Sequence, residues 1–333
     1  VRGGAGLAAL AGEAGLSDAA FAALRAAGAA HATRPLAVST PSFRHFESDA
    51  LGTCAKSTRF PAFSITGGAC ALNCAHCRAE ILKPMIPAGA PDAFEAKLRG
   101  MIGQGLGGFL LSGGSNLRNE VPFDRYLPVI RRLKDAFPHL EILAHTGLVD
   151  AARARALCAA GVDAAMLDII GSQQTIREVY HLDRPVADFE ASLAALVATG
   201  MTVVPHIVAG LHFGTLLGEC EALRIIARHR TAAAILVVVM PAFADPRFQA
   251  PDLGAIAAFF AEARDLLNDR QVILGCARPH GRLRVGIDVA AVLAGFDGIA
   301  YPADEALEVA RQLGRPYQHG VACCGTTACK RAA

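Results

Sequence analysis

Between residues 60 and 315, short apolar runs alternate with longer segments whose apolar residues recur at helical spacing. The runs are "FPAFSIT", "GGFLLSGG", "EILAHTG", "AAMLDIIG", "MTVVPHIVAG", "AAAILVVVM", "QVILGCARP" and "FDGIAYPA". Segments such as "PDAFEAKLRGMIGQG", "FDRYLPVIRRLKDAF" and "DLGAIAAFFAEARDLLND" lie between them and repeat apolar positions every three or four residues. Runs that are apolar throughout, separated by helices, predict parallel strands buried on both faces. Eight such units over about 250 residues match an α/β fold of the (β/α)8 TIM-barrel type, whole or short of a strand or two. An open doubly wound sheet is the alternative.

The flanks read differently. Residues 1–59 form an N-terminal helix and connector: "LSDAAFAALRAAG" is amphipathic with Ser17 placed to cap it, and "RPLAVSTPSFRHFESDALGTCAKS" follows as linker. Residues 316–333 form a tail, "HGVACCGTTACKRAA" within it, that carries Cys323, Cys324 and Cys329.

Composition narrows the class. The 333 residues are 53% hydrophobic and 19% charged, with a net charge of +2. That excludes a disordered chain and gives no electrostatic footprint for nucleic acid. The apolar stretch "TAAAILVVVMPAFA" is broken by Pro and too short to span a bilayer. The first 30 residues have no basic segment before an unbroken apolar core, and Glu13 and Asp18 sit among them. They do not read as a targeting sequence, so a cytoplasmic protein without membrane contact is expected. In a reducing compartment, clustered cysteines hold metal or do redox chemistry. Of the ten cysteines, Cys54, Cys158, Cys220 and Cys276 are isolated, and each alone reads as a small buried side chain.

The segment "GGACALNCAHC" is the exception. Cys70, Cys74 and Cys77 have C-x3-C-x2-C spacing directly after the first predicted barrel strand, where βα loops build active sites. Structural zinc takes four protein ligands, and His76, adjacent to Cys77, is poorly placed to join the same ion. Cysteine thiolates hold iron–sulfur cubanes. Three local thiolates leave one iron with open positions for a substrate.

C-x3-C-x-φ-C after the first strand, with His76 in the usually aromatic φ position, resembles the radical S-adenosylmethionine superfamily. The resemblance implies a [4Fe–4S] cluster on Cys70, Cys74 and Cys77 that binds S-adenosylmethionine, cleaves it reductively and yields a 5′-deoxyadenosyl radical. "LLSGGSN" is similar to the family's GGE-type segment: Gly113 and Gly114 match, and Ser115 replaces the acid. Asp168, ending "MLD", would bind ribose hydroxyls; a helix cap is its other reading. "HIVAGLHFGTLLGECEAL" resembles the G-x-I-x-G-x-x-E segment, with His206, Ile207 and Gly210 as lining residues. "VVVMPAF" would offer backbone to adenine.

"LGCARPHGRLRVGIDVAAVLAGFDGIAYP" is similar to the late barrel of biotin synthase. By that likeness Arg278 projects into the barrel as a ligand of an auxiliary cluster, with Cys276 on the same strand face; a carboxylate or phosphate clamp is its other reading. Cys323, Cys324 and Cys329, with Cys54 as a fourth thiolate, are candidate auxiliary ligands; a tail with incidental thiols is the alternative. From "PSFRHFES" onward the chain resembles the biotin synthase-related group that includes two-component lipoyl synthases. The C-x4-C-x5-C and R-S-S-Y motifs of single-chain lipoyl synthases are absent, which implies the split type. The implied reaction is sulfur insertion at C6 or C8 of an octanoyl chain on a carrier-protein lysine. Implied partners are that octanoylated carrier, a second radical subunit, and ferredoxin or flavodoxin as electron donor. The alternatives are a single-cluster radical enzyme of rearrangement or ring formation, and a non-catalytic iron–sulfur or zinc protein.

Overall fold

The structure, a computed structural model, describes residues 6–41, 46–54 and 59–326. Two helices open it, α1 (Leu7–Glu13) and α2 (Asp18–Ala27), and strand β1 (Leu36–Ser39) follows. The hairpin β2 (Phe46–Ser48) and β3 (Gly52–Cys54) is antiparallel and separate from the main sheet. The barrel then runs β4 (Ala62–Ser64), β5 (Ile86–Pro87), α3 (Pro91–Gly103), β6 (Gly108–Ser112), α4 (Leu127–Ala136), β7 (Glu141–His145), α5 (Ala151–Ala160) and β8 (Ala164–Asp168). It continues through α6 (Gln173–Glu178), α7 (Val186–Val197), β9 (Thr202–Ala209), α8 (Glu219–Ala227), β10 (Ala233–Val238) and α9 (Leu253–Leu266). It closes with β11 (Gln271–Leu274), α10 (Arg282–Leu293), β12 (Gly298–Ala300), α11 (Asp304–Gln312) and β13 (Tyr317–Gly320).

All eight expected strands form, as β4 and β6 through β12. The main sheet has eleven strands among the described residues, in the order β13-β1-β12-β11-β10-β9-β8-β7-β6-β4-β5, and it curls into a parallel half-barrel. β1, read as linker, lies between β12 and β13, with Ala37 opposite Gly298 and Leu36 opposite Tyr317. β1 and β13 are each four residues long and start directly after a proline, too short to show a period. The N-terminal helix is as expected: Ser17 caps α2, accepting from Ala20 N at 3.2 Å.

Alternate strand residues face opposite sides. Leu111, Ala144, Leu167, Val203, Leu236 and Val272 pack outward against the helices. Leu110, Leu143, Met166, Val204, Ile235 and Ile273 pack inward. Both layers are buried, which is why the runs are apolar at every position. Among the described residues no helix is long and apolar enough to cross a membrane.

Under the outer layer, Arg264 of α9 donates to Asp297 Oδ2 at 2.9 Å, and the same oxygen accepts from Val272 N of β11 at 3.0 Å. Both ionic side chains are buried, at 0% and 1% exposure. Removing the acid leaves an uncompensated buried cation. Asp297→Ala is expected to lower unfolding free energy by about 3–5 kcal/mol in urea titration.

Candidate functional site

The cysteine loop follows β4 at the C-terminal mouth of the half-barrel and has no helix or strand between Ile65 and Ala79. Three neighbouring βα connections hold it by backbone hydrogen bonds. Ala71 N donates to Ser115 O at 2.9 Å, Ala75 N to Val179 O at 2.8 Å, and Asp245 N to Ala75 O at 2.8 Å. Thr66 Oγ1 accepts from Gly114 N at 2.7 Å. This closeness explains the glycine pair after β6: a Cβ on Gly114 would lie 2.0 Å from Ala69 O and 2.6 Å from Cys70 Cα, and one on Gly113 would lie 2.9 Å from Ile65 Cγ1. Ser115, at the position of the missing acid, contributes its carbonyl to the loop and donates its hydroxyl to Asn119 Oδ1 at 3.2 Å.

The three thiols are free and brought together. Burial, then the neighbouring charges of Cys77 and Cys70, drive the Cys74 thiol far above its usual range. Burial pushes Cys77 up to about 11, opposed by a backbone hydrogen bond from Ala79. Leu72, Leu148, Ile170, Val179, Leu211 and Phe248 belong to the apolar shell around Cys74. Leu211 and Phe213 are part of this packing, while Phe243 is exposed. Among the described residues no three His, Cys, Asp or Glu side chains converge in the manner of one ion's ligands. A cubane differs, because each thiolate binds a separate iron of the cluster.

Next to the loop, the inward register changes from apolar to polar. Two residues beyond Leu110, Leu143, Met166 and Val204 come Ser112, His145, Asp168 and His206. His145 Nε2 lies 3.7 Å from Asp168 Oδ1, and the two histidine rings are 5.1 Å apart. Tyr180 OH donates to Asp168 Oδ2 at 3.4 Å, and the Tyr180 ring stacks on His76 at 4.9 Å. Asp168 is therefore no helix cap; Ser172 caps α6, accepting from Thr175 N. His206 Nδ1 meets Val204 O at 3.1 Å; a carbonyl only accepts, so Nδ1 carries the proton and Nε2 a lone pair. Burial, then the charge of His145, lowers His206 to about 4. Burial likewise lowers His76 to about 4, and its Nδ1 is buried without a hydrogen-bond partner.

Other expected residues lie elsewhere. Ile207, next to inward-facing His206, faces the helices and packs in the outer core at 1% exposure, so it does not line the mouth. Gly210 turns the chain at φ +75°, where a Cβ would meet Pro251 Cγ at 2.6 Å. Its N–H and that of Leu211 donate to the buried Glu219 carboxylate, which organises the β9 loop. Arg278 does not extend a free guanidinium into the barrel. It pairs with Asp288 of α10 and donates to the carbonyls of Gly275, Ala300 and Tyr301. A buried guanidinium is stable only when its donors are satisfied, and Asp288 supplies the charge partner. The clamp reading of Arg278 is thus met within the protein itself.

Cys323 and Cys324 are buried in the inner core, and Cys276 packs at its edge, near enough for its charge to act on Cys324. A hydrogen bond from Cys324 holds the Cys323 thiol down, while the same contact and burial raise Cys324. Cys54 ends β3 opposite Phe46, and Cys329 lies outside the described residues. Sequence reading missed His145, Tyr180 and Glu219. The apolar-x-polar strand endings "LAH" and "MLD" were the available signal for the first.

No family model and no curated relative matches the sequence. Solved structures do match in fold. Methylornithine synthase (PylB) aligns with TM-score 0.55 and 13% identity over 89% of this chain and 82% of its own. The [FeFe]-hydrogenase maturase HydG from Carboxydothermus hydrogenoformans aligns with TM-score 0.55 and 14% identity over 94% of this chain and 76% of its own. The chain shares the fold of both structures.

Two outcomes follow from the geometry. Gly114→Ala is expected to displace the loop and expose Cys74, read as alkylation of that thiol several-fold faster than in wild type. For His206, the unfolded side chain protonates near 6.5 and the folded one near 4. Between these values the unfolded state binds more protons, so stability falls as pH drops through that window. His76 acts in the same direction. His206→Gln is expected to reduce, not abolish, the loss of urea stability on acidification.

Proposed function

We propose that this chain is a radical S-adenosylmethionine enzyme of the sulfur-inserting kind, one component of a split lipoyl synthase acting on a protein-bound octanoyl chain. One observation carries the reading: a three-cysteine loop clamped at the barrel mouth, with further thiols, Cys276, Cys323 and Cys324, within the same barrel. A lone triad would serve radical generation alone; a second set of thiols suits a cluster that donates sulfide.

The residues present fit the radical-generating group. Three thiols packed together in an apolar shell repel one another as thiolates, and a cationic iron–sulfur core offsets that repulsion. The unpartnered His76 Nδ1 and the acceptor face of Asp168 are polar groups at the same mouth. Cys70, Cys74 and Cys77 would hold the cluster. When bound, it supplies with S-adenosylmethionine the power to abstract hydrogen from an unactivated carbon. The chain itself provides the rest. Asp168 accepts hydroxyl hydrogen bonds, neutral His206 offers Nε2 as acceptor, and the apolar shell keeps water from Cys74, which is 5% exposed. An electron donor such as ferredoxin or flavodoxin, the octanoylated carrier and a second radical subunit complete the proposed cycle.

A second reading is a radical enzyme with a single cluster. It is favoured by Arg278, whose pairing with Asp288 removes the auxiliary ligand that biotin synthase likeness suggested.

The test is iron and sulfide content with Mössbauer spectra after anaerobic reconstitution. Wild type is expected to hold about eight irons, two cubanes of four. Cys70/Cys74/Cys77→Ala and Cys323/Cys324→Ala are each expected to keep about four. Loss of all cluster from the first variant would remove the sulfur-insertion reading and leave single-cluster chemistry.

A further inference from the structure

Tyr180 belongs to no motif, yet it joins two separate parts of the mouth. Its ring lies against His76 of the cysteine loop, centroids 4.9 Å apart and planes 24° from parallel. Its hydroxyl donates to Asp168 Oδ2 at the end of β8, at 3.4 Å. The residue before it, Val179, anchors the loop through its carbonyl to Ala75 N at 2.8 Å. Tyr180 is 3% exposed, and burial raises its phenol well above the usual range, so it stays a protonated donor. Asp168 is thereby bonded at Oδ2 by Tyr180, with Oδ1 facing His145 Nε2 at 3.7 Å.

We propose that Tyr180 is a positioning residue for S-adenosylmethionine, one side chain that fixes the His76 ring and the Asp168 carboxylate in a single relative geometry. This rests on the assignment of the mouth to S-adenosylmethionine. A stacked ring admits little sliding of His76 without moving the hydroxyl, and a carboxylate gripped by that hydroxyl cannot rotate freely. The ring holds His76, next to Cys77 of the cluster loop, and the hydroxyl holds Asp168, the residue read as the ribose partner. The two contacts are separable by substitution: Tyr180→Phe keeps the stack and removes the hydroxyl, whereas Tyr180→Leu removes both.

The test is equilibrium binding of S-adenosylmethionine and of its 2′,3′-dideoxyribose analogue to the reconstituted full chain, by calorimetry. Iron content and thermal midpoint are followed in parallel as controls for folding. Tyr180→Phe, with iron content and midpoint near wild type, is expected to weaken S-adenosylmethionine about five- to tenfold, the scale of one ordinary hydrogen bond. It is expected to leave the dideoxy analogue unchanged. Tyr180→Leu is expected to weaken both ligands. In an Asp168→Asn background, Tyr180→Phe is expected to add less than twofold, the coupling required if the hydroxyl acts through Asp168. Equal affinity of Tyr180→Phe and wild type for S-adenosylmethionine overturns the positioning role while the enzyme assignment stands. So does an undiminished effect in the Asp168→Asn background. A wild-type chain that holds its cluster but does not bind S-adenosylmethionine overturns both.

Discussion

The cysteine loop has no regular structure of its own, so its shape is a property of its neighbours. Between Ile65 and Ala79 it forms turns and bends, and its long-range backbone bonds go to Ser115, Val179 and Asp245 on three other connections. A loop carrying three ligands must present them in one arrangement, and local sequence alone leaves such a segment free. The barrel supplies the constraint by placing βα connections around one rim. The glycine pair after β6 is the tightest part of it, because the two backbones meet where no Cβ fits.

That dependence explains what could be read from sequence. The eight strands were legible because both faces of each are buried, which leaves an unmistakable apolar run. The cysteine spacing was legible because the ligands are local. β1 and β13 were not, since four-residue strands beside prolines carry no period. Ile207 was misplaced by one step of the strand alternation, which spacing within a motif does not reveal. Arg278 was read both as a cluster ligand and as a clamp, and spacing could not decide between them, because nothing in the intervening sequence marks Asp288, ten residues on, as its buried partner. The tie from Tyr180 to His76 spans more than a hundred residues and exists only in the fold.

The barrel interior is layered by chemistry. Mid-strand positions are apolar and close around Cys323 and Cys324, and the next inward positions bear Ser112, His145, Asp168 and His206. The polar layer lies beside the cysteine loop, to which Tyr180 ties Asp168 directly. Gly325 passes through the inner core with Met166 Sδ only 2.9 Å from where its Cβ would be, so the end of the described chain is part of the barrel's filling.

The place of β1 bears on the order in which the molecule can be made. This strand leaves the ribosome ahead of the whole barrel, but both its partners, β12 and β13, come after residue 297. Until they emerge it has no ladder to join, and the inner core lacks the segment that fills it. The cysteine loop emerges early and waits for clamps contributed by Ser115, Val179 and Asp245. During translation its thiols therefore spend the synthesis time of about 170 residues, from Cys77 to Asp245, without all their clamps, at roughly 5–20 residues per second. Nascent chains are then most open to oxidants and stray metal, well before the finished barrel could protect them.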